Sequence, residues 1–327
     1  MFGHRPDGKR IRHLNGFYNV IPIIMKTRND SMNWLTIEME LDPLREFIKA
    51  EEARSGRVYS YFDILLASIV RVIALRPALN RFIVNGRLYQ RNHIGFSLAL
   101  QKSLRRGVES DESTIKCKFT GTESLEQIID QKDKIITEAK KEHQRTKTDD
   151  LIDKVMRGPH FIKAFGVNTL MWLDKHGLLP MSVLDAIPFH TTFFITDMKS
   201  IKLPSLHHHL YNFGTTGLFF STSAEEKKLY KDSETGEIKE KDIMKIAFVS
   251  DERFCDGYCF SQACRMLKKI WANPTVLLRE LNKDELGLTV DEEWELNHKK
   301  EIEAKKEAKR QAKLDKKNKN KKAEENE

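Results

Sequence analysis

The stretch Lys245–Leu281, KIAFVSDERFCDGYCFSQACRMLKKIWANPTVLLREL, constrains this chain most. Met244–Val249 (MKIAFV) is an apolar run of strand length, and Asp256-Gly257 breaks it in a polar loop. Phe260–Trp271 then has helical length and stops at Asn273-Pro274, before a short second helix. A strand, a loop and a helix in close succession ask for a sheet with helices packed on it.

The remaining segments extend this pattern. Leu41–Ser55 predicts an amphipathic helix with Pro43 in its first turn and Gly56 just past its end. Tyr61–Leu75 (YFDILLASIVRVIAL) predicts an apolar helix that stops before Pro77. Arg87–Gln90 and His93–Leu100 are expected to form a hairpin, with Asn85-Gly86 before it as a turn signal. Helices are expected at Ser124–Glu142, Asp149–Arg157 and Phe161–His176, and strands at Phe189–Thr196 and Leu218–Ser221. Asp232–Lys241 reads as a polar, hairpin-like excursion between strands. No internal repeat interrupts this order, so one α+β domain over residues 1–297 is expected.

Charge separates the last thirty residues from the rest. The chain carries a net +8, and His298–Glu327 holds twelve Lys/Arg against seven Asp/Glu, or +5, which leaves +3 for everything before it. This low-complexity tail, residues 298–327, lacks the apolar surface to offset its ordering entropy. Glu and Lys at i,i+4 spacings allow a solvated helix around Glu301–Leu314. The tail contains no aromatic residue, so stacking on bases is not expected and nucleic acid is not an expected partner.

Other function classes lose support from what the chain lacks. No stretch approaches 18 uncharged apolar residues, so no membrane span is expected. The N-terminus has basic residues but no apolar core of a secretory signal, and a cytoplasmic location is expected. Neither a G-x-G-x-x-G nor a G-x-x-x-x-G-K-[ST] loop is present, and no G-x-S-x-G elbow. The four cysteines, Cys117, Cys255, Cys259 and Cys264, are too sparse for a disulfide framework and read as small buried apolar residues. His207-His208-His209 are neighbours whose side chains diverge, so no metal site is expected there. His160 and His190 read as packing histidines.

The segment Glu252-Arg253-Phe254-Cys255-Asp256-Gly257 resembles the H-x-x-x-D-G loop that ends the catalytic domain of chloramphenicol acetyltransferase and of the 2-oxo-acid dehydrogenase acyltransferases. Arg76-Pro77-Ala78-Leu79-Asn80 is similar to that family's short P-x-L-N element, Ile94–Leu100 to the strand after it, and Phe193-Phe194-Ile195-Thr196-Asp197 to the strand bearing its catalytic hydroxyl. The resemblance covers roughly Arg10 to Leu281, and no lipoyl-type segment is expected before it. It implies a chloramphenicol acetyltransferase-like α+β fold, a two-layer mixed sheet with packed helices. It also implies coenzyme A thioesters as acyl donors, a small-molecule acceptor, and sites shared between the subunits of a homo-oligomer, a trimer or its multiple.

By the same resemblance Asp256 matches the structural aspartate, Gly257 the turn glycine and Thr196 the oxyanion-stabilising hydroxyl. The catalytic histidine is replaced by Glu252. A free Glu is about two pKa units less basic than His, roughly 3 kcal/mol, and its charge repels a forming oxyanion that imidazolium would attract. Three readings follow. Glu252 is the base of a modified acyl transfer; or another histidine, His190 or one of His207–His209, supplies the imidazole; or the chain is a binding or assembly relative without transfer activity. For Glu252 itself the plainer reading is a loop carboxylate paired with Arg253 or another cation.

Overall fold

The computed structural model describes residues 5–101, 112–141 and 159–324. In chain order its elements are β1 (Gly8–Arg10), α1 (Gly16–Ile24), β2 (Met32–Glu40), α2 (Asp42–Ser55), α3 (Tyr61–Leu75), β3 (Arg81–Val84), β4 (Arg87–Arg91), β5 (Ile94–Gln101), β6 (Glu112–Phe119) and α4 (Leu125–Lys141). They continue with α5 (His160–Lys175), α6 (Met181–Ala186), β7 (Phe193–Asp197), β8 (Leu218–Lys231), β9 (Ile238–Asp251), α7 (Gly257–Ala272) and α8 (Val290–Glu324).

Six strands form a mixed sheet in the order β2-β9-β8-β7-β5-β6, with β8, β7 and β5 parallel to one another and the outer pairings antiparallel. Side-chain alternation gives this sheet two different faces. Phe193 and Ile195 of β7, Phe220 of β8 and Ile246 and Phe248 of β9 enter the main core with α2, α3, α4 and α7. Phe194, Phe219 and Val249 face the other way, into a small cluster with Leu210. A second sheet, β1-β4-β3, is antiparallel and packs Phe82, Val84 and Tyr89 together.

The helices end where local chemistry tells them to. α3 starts at a reciprocal Ser60/Asp63 capping box and stops at Arg76, before Pro77. Its residues Asp63 to Ala74 are all buried, as an apolar helix between other layers requires. α2 ends at Gly56, whose φ of 69° is the left-handed cap that glycine adopts without penalty.

Three expectations about local structure are corrected. Asn85-Gly86, both at positive φ, closes a hairpin between β3 and β4, not one between β4 and β5. β4 belongs to the small sheet and β5 to the large one, because after Arg91 the chain turns away through Asn92 and His93. Cys255 and Cys259 form a disulfide rather than separate buried thiols: one precedes α7 and the other lies in its first turn, so their Cα atoms stand 5.8 Å apart, within bridging range. The tail helix α8 also begins earlier than expected, where Trp294 stacks on His13 (3.8 Å between rings) and His13 bonds Asp291. The helix expected at Asp149–Arg157 lies outside the described residues.

Candidate functional site

The loop from Asp251 to Asp256 connects β9 to α7, and its side chains are held by contacts within the loop and to several other elements. Asp256 caps α7 by accepting from the Cys259 amide at 2.8 Å. Its other oxygen accepts from the Tyr18 hydroxyl at 3.0 Å, which ties the loop to α1. Burial and the neighbouring carboxylate hold the Tyr18 phenol above its usual range. Phe254 is fully buried against Gly217, where an added Cβ would stand 2.4 Å from the ring. The close approach therefore needs glycine at 217.

Glu252 is half-buried, and its amide donates to the Ser31 carbonyl at 3.0 Å. Its carboxylate accepts from Asn33 Nδ2 at 2.7 Å. Arg253 does not pair with it. That guanidinium binds the fully buried Asp251 through two bonds of 2.8 and 2.7 Å. Arg28 approaches the same carboxylate at 3.6 Å. The loop thus contains a buried arginine clamp, but on residue 251.

The other candidate side chains are elsewhere in the chain. Thr196 lies opposite Ser221, which lies opposite Ala247. Glu252 follows Ala247 by five residues, about 16 Å along the strand direction, and two strands across. Within one chain the two side chains do not meet, and Thr196 Oγ1 is turned to Met198 Sδ at 3.8 Å.

His190 is 1% exposed. Its Nδ1 is 3.1 Å from Thr215 Oγ1, and its Nε2 is 3.5 Å from Asp174. Arg91 also donates to Thr215 Oγ1, at 2.9 Å. Burial, reinforced by Arg5, Lys116 and Arg91, pushes this imidazole well below its usual pKa. The ring is enclosed. His207 bonds Thr36, and His208 stacks on Phe219. Among the described residues no group of three His, Cys, Asp or Glu side chains converges as a metal site.

Sequence reasoning missed the charged layer around His190. Arg5 binds Asp7 bidentately (2.8 and 3.0 Å) and Asp174 at 2.8 Å. Arg91 stands over the Phe82 ring at 4.4 Å and 3.7 Å from Asp7. All four residues are at least nine-tenths buried. The partners lie up to 169 residues apart, and no local pattern marks them. Nearby, a cleft of about 460 Å³ opens between α1, the Asn85-Gly86 turn, the end of α5 and the segment Asn212–Gly214, with Arg253 in its wall.

No protein-family model matches the sequence, and no curated protein matches it. Solved structures do. The chain is similar to the cubic core of the pyruvate dehydrogenase multienzyme complex, at 11% identity and a TM-score of 0.51 over 82% of this chain and 94% of that one. It is similar to the dihydrolipoamide acetyltransferase of Azotobacter vinelandii, at 12% identity and a TM-score of 0.51 over 78% and 89%. A chloramphenicol acetyltransferase aligns at 12% identity over 81% of this chain and 99% of that one, with a TM-score of 0.45. The chain has the chloramphenicol acetyltransferase-like fold of the 2-oxo-acid dehydrogenase acyltransferase cores.

Proposed function

We propose that this chain transfers an acyl group from a coenzyme A thioester to a small acceptor, with Glu252 standing where the fold's imidazole would be. The observation that carries the reading is the loop itself. Asp256 is fixed both by the α7 amide and by Tyr18, and Glu252, just past the end of β9, stays partly open to solvent. In this role Glu252 accepts the proton of the attacking thiol, hydroxyl or amine, and Asn33 orients its carboxylate. Thr196 serves the oxyanion of a site built with a second copy, because its own Glu252 is out of reach.

A homo-oligomer, a trimer or its multiple, is part of this proposal. Large apolar side chains stand exposed on α1 and α5, among them Phe17 (67%) and Phe165 (73%), and a second copy of the chain would cover them. A cytoplasmic location is also proposed. No helix among the described residues is long and apolar enough to cross a membrane.

The test is release of free thiol from a panel of acyl-coenzyme A donors with thiol, hydroxyl and amine acceptors. Activity with at least one donor, lost in Glu252→Gln, supports the reading; no release with any donor sinks it. A second reading, a binding or assembly protein of the same fold, is favoured by the Asn33–Glu252 bond, which satisfies the carboxylate as an ordinary loop acceptor. It predicts that Glu252→His leaves affinity for coenzyme A unchanged while light scattering still finds the oligomer.

A further inference from the structure

The interior next to the cleft holds more positive than negative charge. Four guanidiniums, Arg5, Arg28, Arg91 and Arg253, are buried there with three carboxylates, Asp7, Asp174 and Asp251. They form two sets, one linked through Arg5–Asp7, Arg5–Asp174 and Arg91–Asp7, the other through Arg253–Asp251 and Arg28–Asp251. The first set balances two guanidiniums with two carboxylates, whereas the second puts Arg28 and Arg253 on the single carboxylate of Asp251 and is left with one uncompensated positive charge. Buried charges are costly unless paired, so a persistent excess at a cavity wall calls for a counter-charge from outside the chain.

Arg28 is where the deficit falls. Both of its terminal nitrogens donate to backbone carbonyls, of Tyr211 and of Gly214 at 3.0 Å. Its Nε has no hydrogen-bond partner, and the nearest carboxylate, Asp251, already binds Arg253 bidentately. Burial pulls this guanidinium down to about 10 despite that neighbour. Arg28, Arg253 and Asp174 all line the cleft, and Asp174 is already engaged by Arg5. Lys26 and Lys175 stand exposed on the same lining, and among the described residues neither makes an ion pair.

We infer that the cleft between α1 and α5 binds a small molecule through an oxyanion, a phosphate or a carboxylate, held by Arg28 from within and by Lys26 and Lys175 at the rim. A cleft of about 460 Å³ suits a ligand of nucleotide size rather than a bare ion. The cationic wall favours an oxyanion because guanidinium and ammonium groups give charge-assisted hydrogen bonds to it. This inference does not rest on acyl transfer and stands if the chain proves to have no such activity.

Thermal unfolding of the full chain tests it, with inorganic phosphate, adenosine 3′,5′-bisphosphate and succinate as probes against sodium chloride at matched ionic strength. A ligand bound only by the native state raises the melting temperature with the logarithm of its concentration once this exceeds the dissociation constant. At least one probe is expected to do so, and comparison of the three assigns the oxyanion's source. The variant carrying Lys26→Gln and Lys175→Gln changes two exposed side chains and is expected to melt like the wild type without ligand. With the effective probe its apparent dissociation constant should rise by about tenfold, as two surface charge contacts give. Stabilisation by none of the probes, or the same curve in the double variant, overturns the assignment.

Discussion

The core side of the large sheet and the layer around Asp251 and Asp174 are both buried, yet they are held by opposite means. The first is a continuous apolar cluster in which Leu41, Leu44, Ile64, Leu65 and Leu66 show no exposure. Burial there stabilises residue by residue, and one lost side chain leaves a cavity but no orphaned charge. The second is a set of ion pairs whose partners come from the N-terminal segment, β4, α5 and the β9–α7 loop. Paired members hold one another, so the loss of one strands its partners. The comparison teaches that the fold's framework tolerates change in steps, whereas each ion-paired set beside the cleft fails as a unit.

The largest expected effect comes from Asp251→Asn. It removes the carboxylate that Arg253 grips with two bonds and that Arg28 faces at 3.6 Å. Stranding buried guanidiniums should cost about 3–5 kcal/mol in urea unfolding. A cost below about 1 kcal/mol would mean that the layer is hydrated, and the contrast with the core would break. Leu66→Ala in α3 gives the matching measurement on the apolar side. It should cost about 2–5 kcal/mol, at the lower end if neighbours collapse into the space.

Acid sharpens the same contrast, since only one of the two interiors titrates. Burial pulls His93 down to about 3, helped by Arg91 and two lysines. The folded imidazole therefore stays neutral where the unfolded chain takes up a proton, and stability falls as pH drops below about 6.5. Between pH 7 and 5 the loss from His93 should be about 2 kcal/mol, and His190 adds to it in the same direction. Asp174, which burial raises, works the opposite way as its carboxyl protonates. Denaturant melts of the wild type and His93→Gln at the two pH values check this. The variant should lose less stability on acidification; equal losses would remove His93 from the account.

The two interiors also differ in how far the amino-acid order reveals them. Tyr61–Leu75 is legible to the residue because Ser60, Asp63 and Pro77 are local signals and the run between them is apolar. The Asn85-Gly86 turn is legible as a turn, but its partner strand is not, because the switch of β5 into the other sheet is decided by packing. β2 is an edge strand with Trp34 and Leu35 exposed, so its apolar pattern is blurred, and it escaped a reading by periodicity. α1 carries Pro22 within it, which argues against a helix until its Asn15 cap is noticed. The charged layer has no sequence signature, since an arginine that finds its aspartate across the fold looks like any surface residue. Glu252 could be singled out from the loop pattern, but its partner Asn33 comes from the other end of the chain.

The loop itself gives the smaller effects. Asp256→Ala removes the α7 cap and the Tyr18 bond together and should cost about 1 kcal/mol. Glu252→Gln should change stability least, within about 0.5 kcal/mol, because the side chain is half-buried and its one side-chain partner is a neutral amide. That small structural cost makes the substitution informative. The glutamine can rotate its carbonyl oxygen to keep the Asn33 bond, so the loop stays in place while the proton acceptor is lost. If Glu252 is the base of an acyl transfer, the rate of thiol release should fall by about 10²–10⁴ at unchanged melting temperature. If the rate and its pH profile are the same in both proteins, the carboxylate belongs with the framework of the loop, and the chemistry must be sought along the cleft wall instead.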